Sequence, residues 1–231
     1  KFLQKEDGAC IIAIIERDGA IINESGLNVE EVSKYKSEND KVEGFPDSKF
    51  VKNGKDVLEH SCDILIPAAM EGVITQENAP RIQAKVIAEA ANGPVTYEAD
   101  QILNEKGTFI IPDAFLNAGG VTVSYFEWLK NLSHVRFGRM DRRFIEAQGQ
   151  KIIEAIESGI GKSLAQTAKN TLLEAPSELD LVRSGLEDTM RVPYAEVKEQ
   201  QLSNSKINDR RTAAYALAIS KISDIYESMY L

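Results

Sequence analysis

An amide, two glycines and a hydroxyl follow one another closely near the middle of this 231-residue chain. Asn117 comes first, Gly119 and Gly120 come next, and Ser124 completes the group. If a helix begins at the glycines, its free N–H groups and positive end favour an anion such as a carboxylate. Asn117 and Ser124 would then lie on one face of the helix. The spacing therefore favours a site for a small acidic molecule.

Small residues follow two apolar runs elsewhere in the chain, at Pro67-Ala68-Ala69 and at Ala90-Ala91-Asn92. In open α/β sheets, ligands bind beyond the carboxyl ends of the strands. Small side chains let a flat ring approach the backbone, and the Asn92 amide can both donate and accept, as a carboxamide or ribose requires. On spacing alone, a simple turn at Asn92-Gly93-Pro94 is the commoner explanation.

Glu16 ends another apolar run, at the place where a dinucleotide-binding fold holds the adenosine ribose. A solvated turn carboxylate is the more frequent explanation of such a residue, and the neighbouring Arg17 could instead meet a 2′-phosphate. The glycine-rich phosphate loop should lie roughly twenty residues earlier. No such loop precedes Glu16. Either the fold is different, or the chain is a fragment that lacks its first strand and turn.

Four short apolar runs, at residues 9–15, 62–66, 85–88 and 108–111, predict parallel strands buried between helices. Asn28 and Thr96 are typical helix N-caps between them. This alternation predicts an α/β fold with a doubly wound, Rossmann-like, mostly parallel sheet that lacks its first strand.

The pattern becomes helical after Asn117. Helices are predicted at residues 117–132 and within 142–173, and a capping-box pattern at 176–180 predicts a third. Pro193 should kink or end that helix. A fourth helix is predicted to open at Asn208-Asp209. The sheet is thus expected to be followed by a helical insertion and C-terminal helices.

Composition excludes several classes of function. The net charge of -9 argues against nucleic acid or an anionic membrane surface as a partner, and no apolar run approaches the roughly 20 residues of a membrane-spanning helix.

Cys10 and Cys62 lie within apolar runs and are expected to be reduced core residues. His60 and His134 stand alone, so no metal site is predicted.

The motif N-A-G-G-V-T-V-S-Y-F-E-W at 117–128 closely resembles the glutamate dehydrogenase family. The resemblance extends to residues 9–19, 62–69, 88–94, 184–186 and 211–215, and is weakest at 136–180 and 191–208. The helical length after residue 134 resembles the antenna of the mitochondrial branch. The chain is therefore similar to the carboxy-terminal portion of an antenna-containing glutamate dehydrogenase.

This resemblance implies a cofactor, NAD or NADP, and a role for each matching residue. It implies that the cofactor-binding residues are Glu16, Arg17, Ala68, Ala69, Ala91, Asn92 and Asn117. Glu16 and Arg17 would lie by the adenosine ribose and the others by the nicotinamide. Ala90 replaces a usual glycine, and Arg17 a commonly smaller residue, so the choice between NAD and NADP stays open.

The resemblance also implies the substrate and the reaction. Asn117, Val121 and Ser124 would bind the substrate, with Ser124 bonding the side-chain carboxylate of L-glutamate. The family reaction is the reversible oxidative deamination of L-glutamate to 2-oxoglutarate and ammonia, with hydride transfer to the nicotinamide. The catalytic lysines and aspartate belong to the family's amino-terminal domain. No catalytic residue is expected in this chain, which alone should be inactive.

Further expectations follow from the family. They are a homohexamer with antennae packed in threes, possible nucleotide effectors and a location in the mitochondrial matrix. The expected division is a cofactor domain at 1–135, an antenna-like insertion at 136–183 and pivot-like and C-terminal helices at 184–231. Two alternatives remain: a non-catalytic nucleotide-binding or regulatory protein derived from the family, and another amino-acid dehydrogenase. Ser124 speaks against the latter, since apolar substrates have no use for that hydroxyl.

Overall fold

The chain is a mixed α/β protein with two compact units. Its computed structural model describes residues 1–133, 139–174 and 177–229. The sheet unit comprises Lys1–Asn117 and Gln201–Leu231, and the helical unit comprises Ala118–Gln200. His134, Pro176 and the expected boundary at residue 135 lie outside the described residues. The three-part domain division stays a prediction.

Two small sheets form the centre of the sheet unit. The strands of the described residues are β1 (Ala13–Glu16), β2 (Gly19–Ile22), β3 (Lys49–Val51), β4 (Ile64–Leu65), β5 (Val86–Ala88) and β6 (Phe109–Ile111). The first sheet is antiparallel in the order β1-β2-β3, and the second is parallel in the order β4-β5-β6. The prediction of parallel strands at the last three apolar runs is confirmed.

The first apolar run does not form a parallel strand, so that prediction was wrong. β1 pairs antiparallel with β2, with Glu16 opposite Gly19, and Arg17-Asp18 is the whole connection. Two residues can join only antiparallel neighbours, because a parallel crossover needs a dozen or more. Gly19 suits the turn: its φ is +146°, and a Cβ there would lie 2.6 Å from the Phe50 ring.

The parallel sheet is packed mainly on its central strand. Ile87 of β5 is fully buried, together with Ile74, Ala99 and Leu103. β4 lies at the sheet edge, and its Ile64 side chain is 57% exposed. The expectation that all these strands are buried on both faces was therefore wrong for β4.

Helices lie between the strands along the chain and follow the last of them. In the described parts of the chain they are α1 (Phe2–Lys5), α2 (Val29–Asn39), α3 (Tyr97–Glu105), α4 (Asp113–Leu116), α5 (Ala118–Ser133), α6 (Arg139–Ile160), α7 (Gln166–Leu173), α8 (Glu178–Ser203) and α9 (Arg210–Met229). Short 3₁₀ helices lie at Gly54–Glu59 and Ala79–Arg81. The predicted caps are confirmed: the Asn28 side chain accepts N–H bonds at the start of α2, and the Thr96 side chain does so at α3.

The helical unit departs from prediction in two places. The region 142–173 forms parts of two helices, since α6 ends before Gly161, whose φ is +68°. Pro193 lies inside α8, which continues to Ser203, so the helix does not end at the proline. The start of α8 is as predicted: the Ser177 hydroxyl and the Asp180 carboxylate bond each other and each other's backbone N–H.

The two cysteines form no disulfide, and His60 contacts a carboxylate. Cys10 is exposed, so its assignment to the core was wrong. Cys62 is half-buried; burial, followed by the charge of Asp63, raises the pKa of its thiol. Both thiols are free. His60 contacts the Glu24 carboxylate at 2.7 Å, which is a structural role.

Candidate functional site

Two of the predicted site residues meet at the carboxyl end of the parallel sheet. Asn92 lies in the loop after β5, and Asn117 follows α4, just beyond the end of β6. The Asn117 Nδ2 donates a hydrogen bond to Asn92 Oδ1. Among the described residues, Asn92 Nδ2 and Asn117 Oδ1 have no further hydrogen-bond partner. The pair therefore presents one donor and one acceptor, as a ligand carboxamide requires.

The predicted alanines lie at the same edge of the sheet. The Ala90 N–H donates to the Pro67 carbonyl at 3.0 Å, and the Gly72 N–H donates to the Gly93 carbonyl at 2.9 Å. These bonds hold the loop after β4 beside the loop after β5. The structure therefore brings Ala68 and Ala69, which are both exposed, close to Ala91 and Asn92.

A partly buried ionic cluster, which the sequence did not reveal, lies next to this edge. We define the Arg211 cluster as Arg211 of α9 with Glu89, Asp100 and Asp113. The guanidinium donates to Glu89 at 2.8 Å, to Asp100 at 3.0 Å and to Asp113 at 3.2 Å. Burial works against the charged form of Arg211, but the bond to and charge of Glu89, followed by Asp100, outweigh it and raise the pKa of the guanidinium.

The Arg211 cluster is bonded directly to the Asn92 loop. The Asp113 N–H donates to Glu89 Oε2 at 2.8 Å, and the Gly93 N–H donates to Asp113 Oδ2 at 2.8 Å. Glu89 is fully buried at the end of β5, and a buried carboxylate requires a counter-charge. The sequence shows only that Glu89 directly follows the apolar run at 85–88. It does not show the partner, because Arg211 lies 122 residues further along the chain.

Glu16 and Arg17 lie apart from these residues, in the β1–β2 hairpin. Glu16 is paired with Lys36 of α2 at 2.6 Å, and Arg17 is exposed. Within the described residues, no hydrogen bond or ion pair connects Glu16 or Arg17 with Asn92 or Asn117. The sequence analysis missed Lys36, whose ammonium partly neutralises the carboxylate expected at the ribose.

Val121 and Ser124 lie in the helical unit, on α5. They are one turn apart, so they share a face of the helix. Val121 is 73% exposed, and the Ser124 hydroxyl is exposed and donates to the Gly120 carbonyl at 3.0 Å. To bond a ligand carboxylate, this hydroxyl must turn its hydrogen away from Gly120. Asn117 does not belong to α5, which begins at Ala118.

A cavity of about 170 Å³ opens at the other end of β6. Its lining includes Phe109, at the start of the strand, and Arg210, whose guanidinium lies 5.5 Å from the centre of the Phe109 ring. None of the residues predicted to bind cofactor or substrate lines this cavity. The candidate site is instead the open surface at the carboxyl edge of the sheet.

Neither a membrane helix nor a metal centre is found among the described residues. No described helix has both the length and the apolar character needed to cross a bilayer. Within 1–133, 139–174 and 177–229, no three Asp, Glu, His or Cys side chains are placed to share a metal ion.

Comparison with known proteins identifies the family. Residues 1–174 match the family model described as glutamate/leucine/phenylalanine/valine dehydrogenase. The chain belongs to this dehydrogenase family. Among curated members, glutamate dehydrogenase, mitochondrial, from Dictyostelium discoideum is 48% identical over 99% of this chain and 45% of its own length. A probable glutamate dehydrogenase from Sinorhizobium fredii is 43% identical over 97% of this chain and 51% of its own length.

Solved dehydrogenases have a similar fold. The hetero-hexameric glutamate dehydrogenase of Thermus thermophilus has a TM-score of 0.69 at 20% identity, over 95% of this chain and 42% of that one. The Peptoniphilus asaccharolyticus enzyme has a TM-score of 0.57 at 26% identity, over 97% of this chain and 42% of that one. The chain thus spans about half the length of the dehydrogenases it matches.

Proposed function

We propose that this chain carries the nicotinamide-binding surface and part of the amino-acid pocket of a glutamate dehydrogenase. The reaction would be the oxidative deamination of L-glutamate to 2-oxoglutarate and ammonia, with NAD or NADP as the cofactor. The observation that carries the proposal is the Asn92–Asn117 amide pair at the carboxyl end of the parallel strands β5 and β6. This is the edge at which α/β sheets bind nucleotides.

The residues at this edge fit a nicotinamide. Its carboxamide needs a donor and an acceptor, and the amide pair offers Asn92 Nδ2 and Asn117 Oδ1. Ala68 and Ala69 are exposed and small, so a flat ring can lie against the backbone. When bound, a nicotinamide would supply the acceptor for the hydride that leaves the substrate. The role of the two asparagines is to bind and orient the carboxamide, which fixes the face of the ring.

Glutamate is the substrate that best suits α5. The family includes enzymes named for leucine, phenylalanine and valine, whose side chains carry no charge. The exposed Ser124 hydroxyl can donate to a side-chain carboxylate, and an apolar side chain would leave that hydroxyl without a ligand partner. Val121, one turn earlier, would contact the aliphatic part of the substrate. We assign no catalytic residue to this chain and expect no turnover from it alone.

The remaining family expectations become part of this proposal. We propose a doubly wound cofactor domain at 1–135, an antenna-like insertion at 136–183 that includes the α6–α7 pair, and pivot-like and C-terminal helices at 184–231. The hetero-hexameric T. thermophilus relative supports an assembly of six subunits, and we propose a homohexamer with trimeric antenna packing. We also propose a location in the mitochondrial matrix, with nucleotides as effectors. The mitochondrial D. discoideum relative supports this location, whereas the S. fredii relative comes from a bacterium.

Titration of the 231-residue chain with NADH and NADPH, followed by nucleotide fluorescence, tests the cofactor surface. Asn92→Ala and Asn117→Ala should each weaken binding about tenfold, the effect of one lost hydrogen bond in a desolvated site. Asn53→Ala is the matched control, because the Asn53 amide also bonds one exposed side chain, Asp56 at 2.6 Å. Equal affinities in the unchanged chain and all three variants, or no binding of either nucleotide, would refute the cofactor assignment.

The substrate is tested in the protein as the cell makes it, by comparing oxidation of glutamate, leucine, phenylalanine and valine. Glutamate should be preferred, and Ser124→Ala should reduce that preference, because the hydroxyl bonds only the acidic substrate. A preference for an apolar amino acid would contradict the substrate assignment. Nucleotide binding without oxidation of any of the four would favour the regulatory alternative.

A further inference from the structure

We propose that Arg211 is a positioning residue for the cofactor surface: it fixes the Asn92 loop through Asp113 without touching the ligand. This inference rests on the proposed function, in which Asn92 and Asn117 orient the nicotinamide. It assigns a function to a side chain on α9, a helix that contributes none of the residues expected at the cofactor.

Asp113 is the link between Arg211 and both asparagines. Its Oδ1 accepts from the Arg211 guanidinium at 3.2 Å, and its Oδ2 accepts from the Gly93 N–H at 2.8 Å. Gly93 is the neighbour of Asn92. The Asp113 carbonyl also accepts from the Asn117 N–H at 3.2 Å, across the single turn of α4. Asp113 thus bonds the Asn92 loop through its carboxylate and Asn117 through its backbone carbonyl, so the position of this one residue sets the relation between the two amides.

Glu89 bonds the same guanidinium and also fixes the backbone of Asp113. Its Oε1 accepts from Arg211 at 2.8 Å and its Oε2 accepts from the Asp113 N–H at 2.8 Å. Glu89 is fully buried, and the Asp113 side chain is 18% exposed. Arg211 thus holds the side chain of Asp113, while Glu89 holds its backbone. A planar guanidinium can bridge these two carboxylates at once, whereas an ammonium lacks the fixed fork.

Asp100 separates positioning from simple stabilisation. It accepts from the same guanidinium at 3.0 Å and is 15% exposed, so it closely matches Asp113. It lies on α3, however, and its other hydrogen bond is to Asn104 of the same helix, not to the Asn92 loop. Loss of Asp100 should therefore weaken the fold without misplacing the amide pair.

The experiment compares Asp113→Ala, Asp100→Ala and Arg211→Lys in the 231-residue chain, at a temperature well below every unfolding midpoint. The NADH dissociation constant should rise about tenfold for Asp113→Ala and Arg211→Lys, and less than about twofold for Asp100→Ala. The Asp113→Ala/Arg211→Lys double variant should bind no more weakly than Asp113→Ala, because both changes break one path. The Gly93 amide resonance, observed by NMR, should shift in Arg211→Lys but not in Asp100→Ala.

Failure of the proposed function and failure of the positioning role give different results. If the unchanged chain binds no nucleotide, the proposed function fails, while the Gly93 resonance still decides whether Arg211 orders the loop. If the unchanged chain binds NADH and Arg211→Lys binds it equally well with an unmoved Gly93 resonance, the positioning role is overturned. Equal losses of affinity for Asp100→Ala and Asp113→Ala would also overturn it. Should Arg211→Lys fail to fold, the two alanine variants carry the comparison.

Discussion

Removal of the Arg211 guanidinium tests how much the buried charge of Glu89 contributes to folding. In Arg211→Met, the Glu89 carboxylate keeps its full burial but loses its only cationic partner among the described residues. An unpaired buried charge costs about 3–5 kcal/mol. A chain of 231 residues has an unfolding entropy of about 0.5 kcal/mol per degree. The thermal midpoint should therefore fall by roughly 6–10 °C.

The control is an arginine pair of similar geometry at the surface. Arg81 donates two hydrogen bonds to Glu59, at 2.6 and 2.7 Å, but its side chain is 59% exposed. Water solvates both partners after the change, so Arg81→Gln should move the midpoint by less than about 2 °C. Thermal unfolding followed by circular dichroism at pH 7 measures both variants.

A second substitution separates charge from packing. Glu89→Gln in the Arg211→Met background removes the unpaired charge, so the double variant should be more stable than Arg211→Met alone by about 2 kcal/mol. If Arg211→Met unfolds within 2 °C of the unchanged chain, or if the double variant is no more stable than the single one, the reasoning about Glu89 is refuted.

Three further predictions concern the helical unit. The hydrogen bond from Lys169 and, to a smaller extent, the one from the Leu164 N–H lower the pKa of Glu157 to about 2 from its ordinary 4.5. The unchanged chain should therefore be more stable than Glu157→Gln above pH 4.5, and this difference should disappear as the pH falls towards 2. Urea unfolding across that pH range measures the difference. A constant advantage down to pH 2 would contradict this. Gly149→Ala should destabilise the α6–α7 pair by about 1–3 kcal/mol, because its Cβ would lie 2.3 Å from the Leu172 carbonyl oxygen. An unchanged urea midpoint would show that the close packing of these two helices does not contribute to stability. Ser177→Ala should cost about 1 kcal/mol through loss of the α8 cap, whereas Ser177→Asp should retain most of it in the same assay.

Local features of the fold were predictable from sequence. The caps at Asn28, Thr96 and Ser177 involve side chains and N–H groups only two or three residues apart, so their patterns are complete within a few positions. The β1–β2 hairpin was also local, but the run before its turn is continuously apolar, as in a parallel strand, and the Asp18-Gly19 pair lies one position later than the two turn residues Arg17-Asp18. The run before the turn was therefore assigned to the parallel sheet.

Features set by tertiary contacts were not predictable. Pro193 removes one helical N–H, yet α8 continues past it to Ser203, and Val197 in this later part of the helix is buried. At the candidate site, the family motif placed Asn92 and Asn117 near a common ligand, and the structure shows their hydrogen bond. The motif could not show that Arg211 of α9 bonds Asp113, which in turn accepts from the Gly93 N–H of the Asn92 loop.

The sequence distance to Arg211 has a consequence for how the protein is made. The bonds of its guanidinium join residues separated by 98 to 122 positions. Strands β5 and β6 leave the ribosome long before α9, so during synthesis Glu89 spends that interval without its cation. The carboxyl edge of the parallel sheet can reach its final geometry only after α9 has emerged and docked, which makes it one of the last parts of the sheet unit to form.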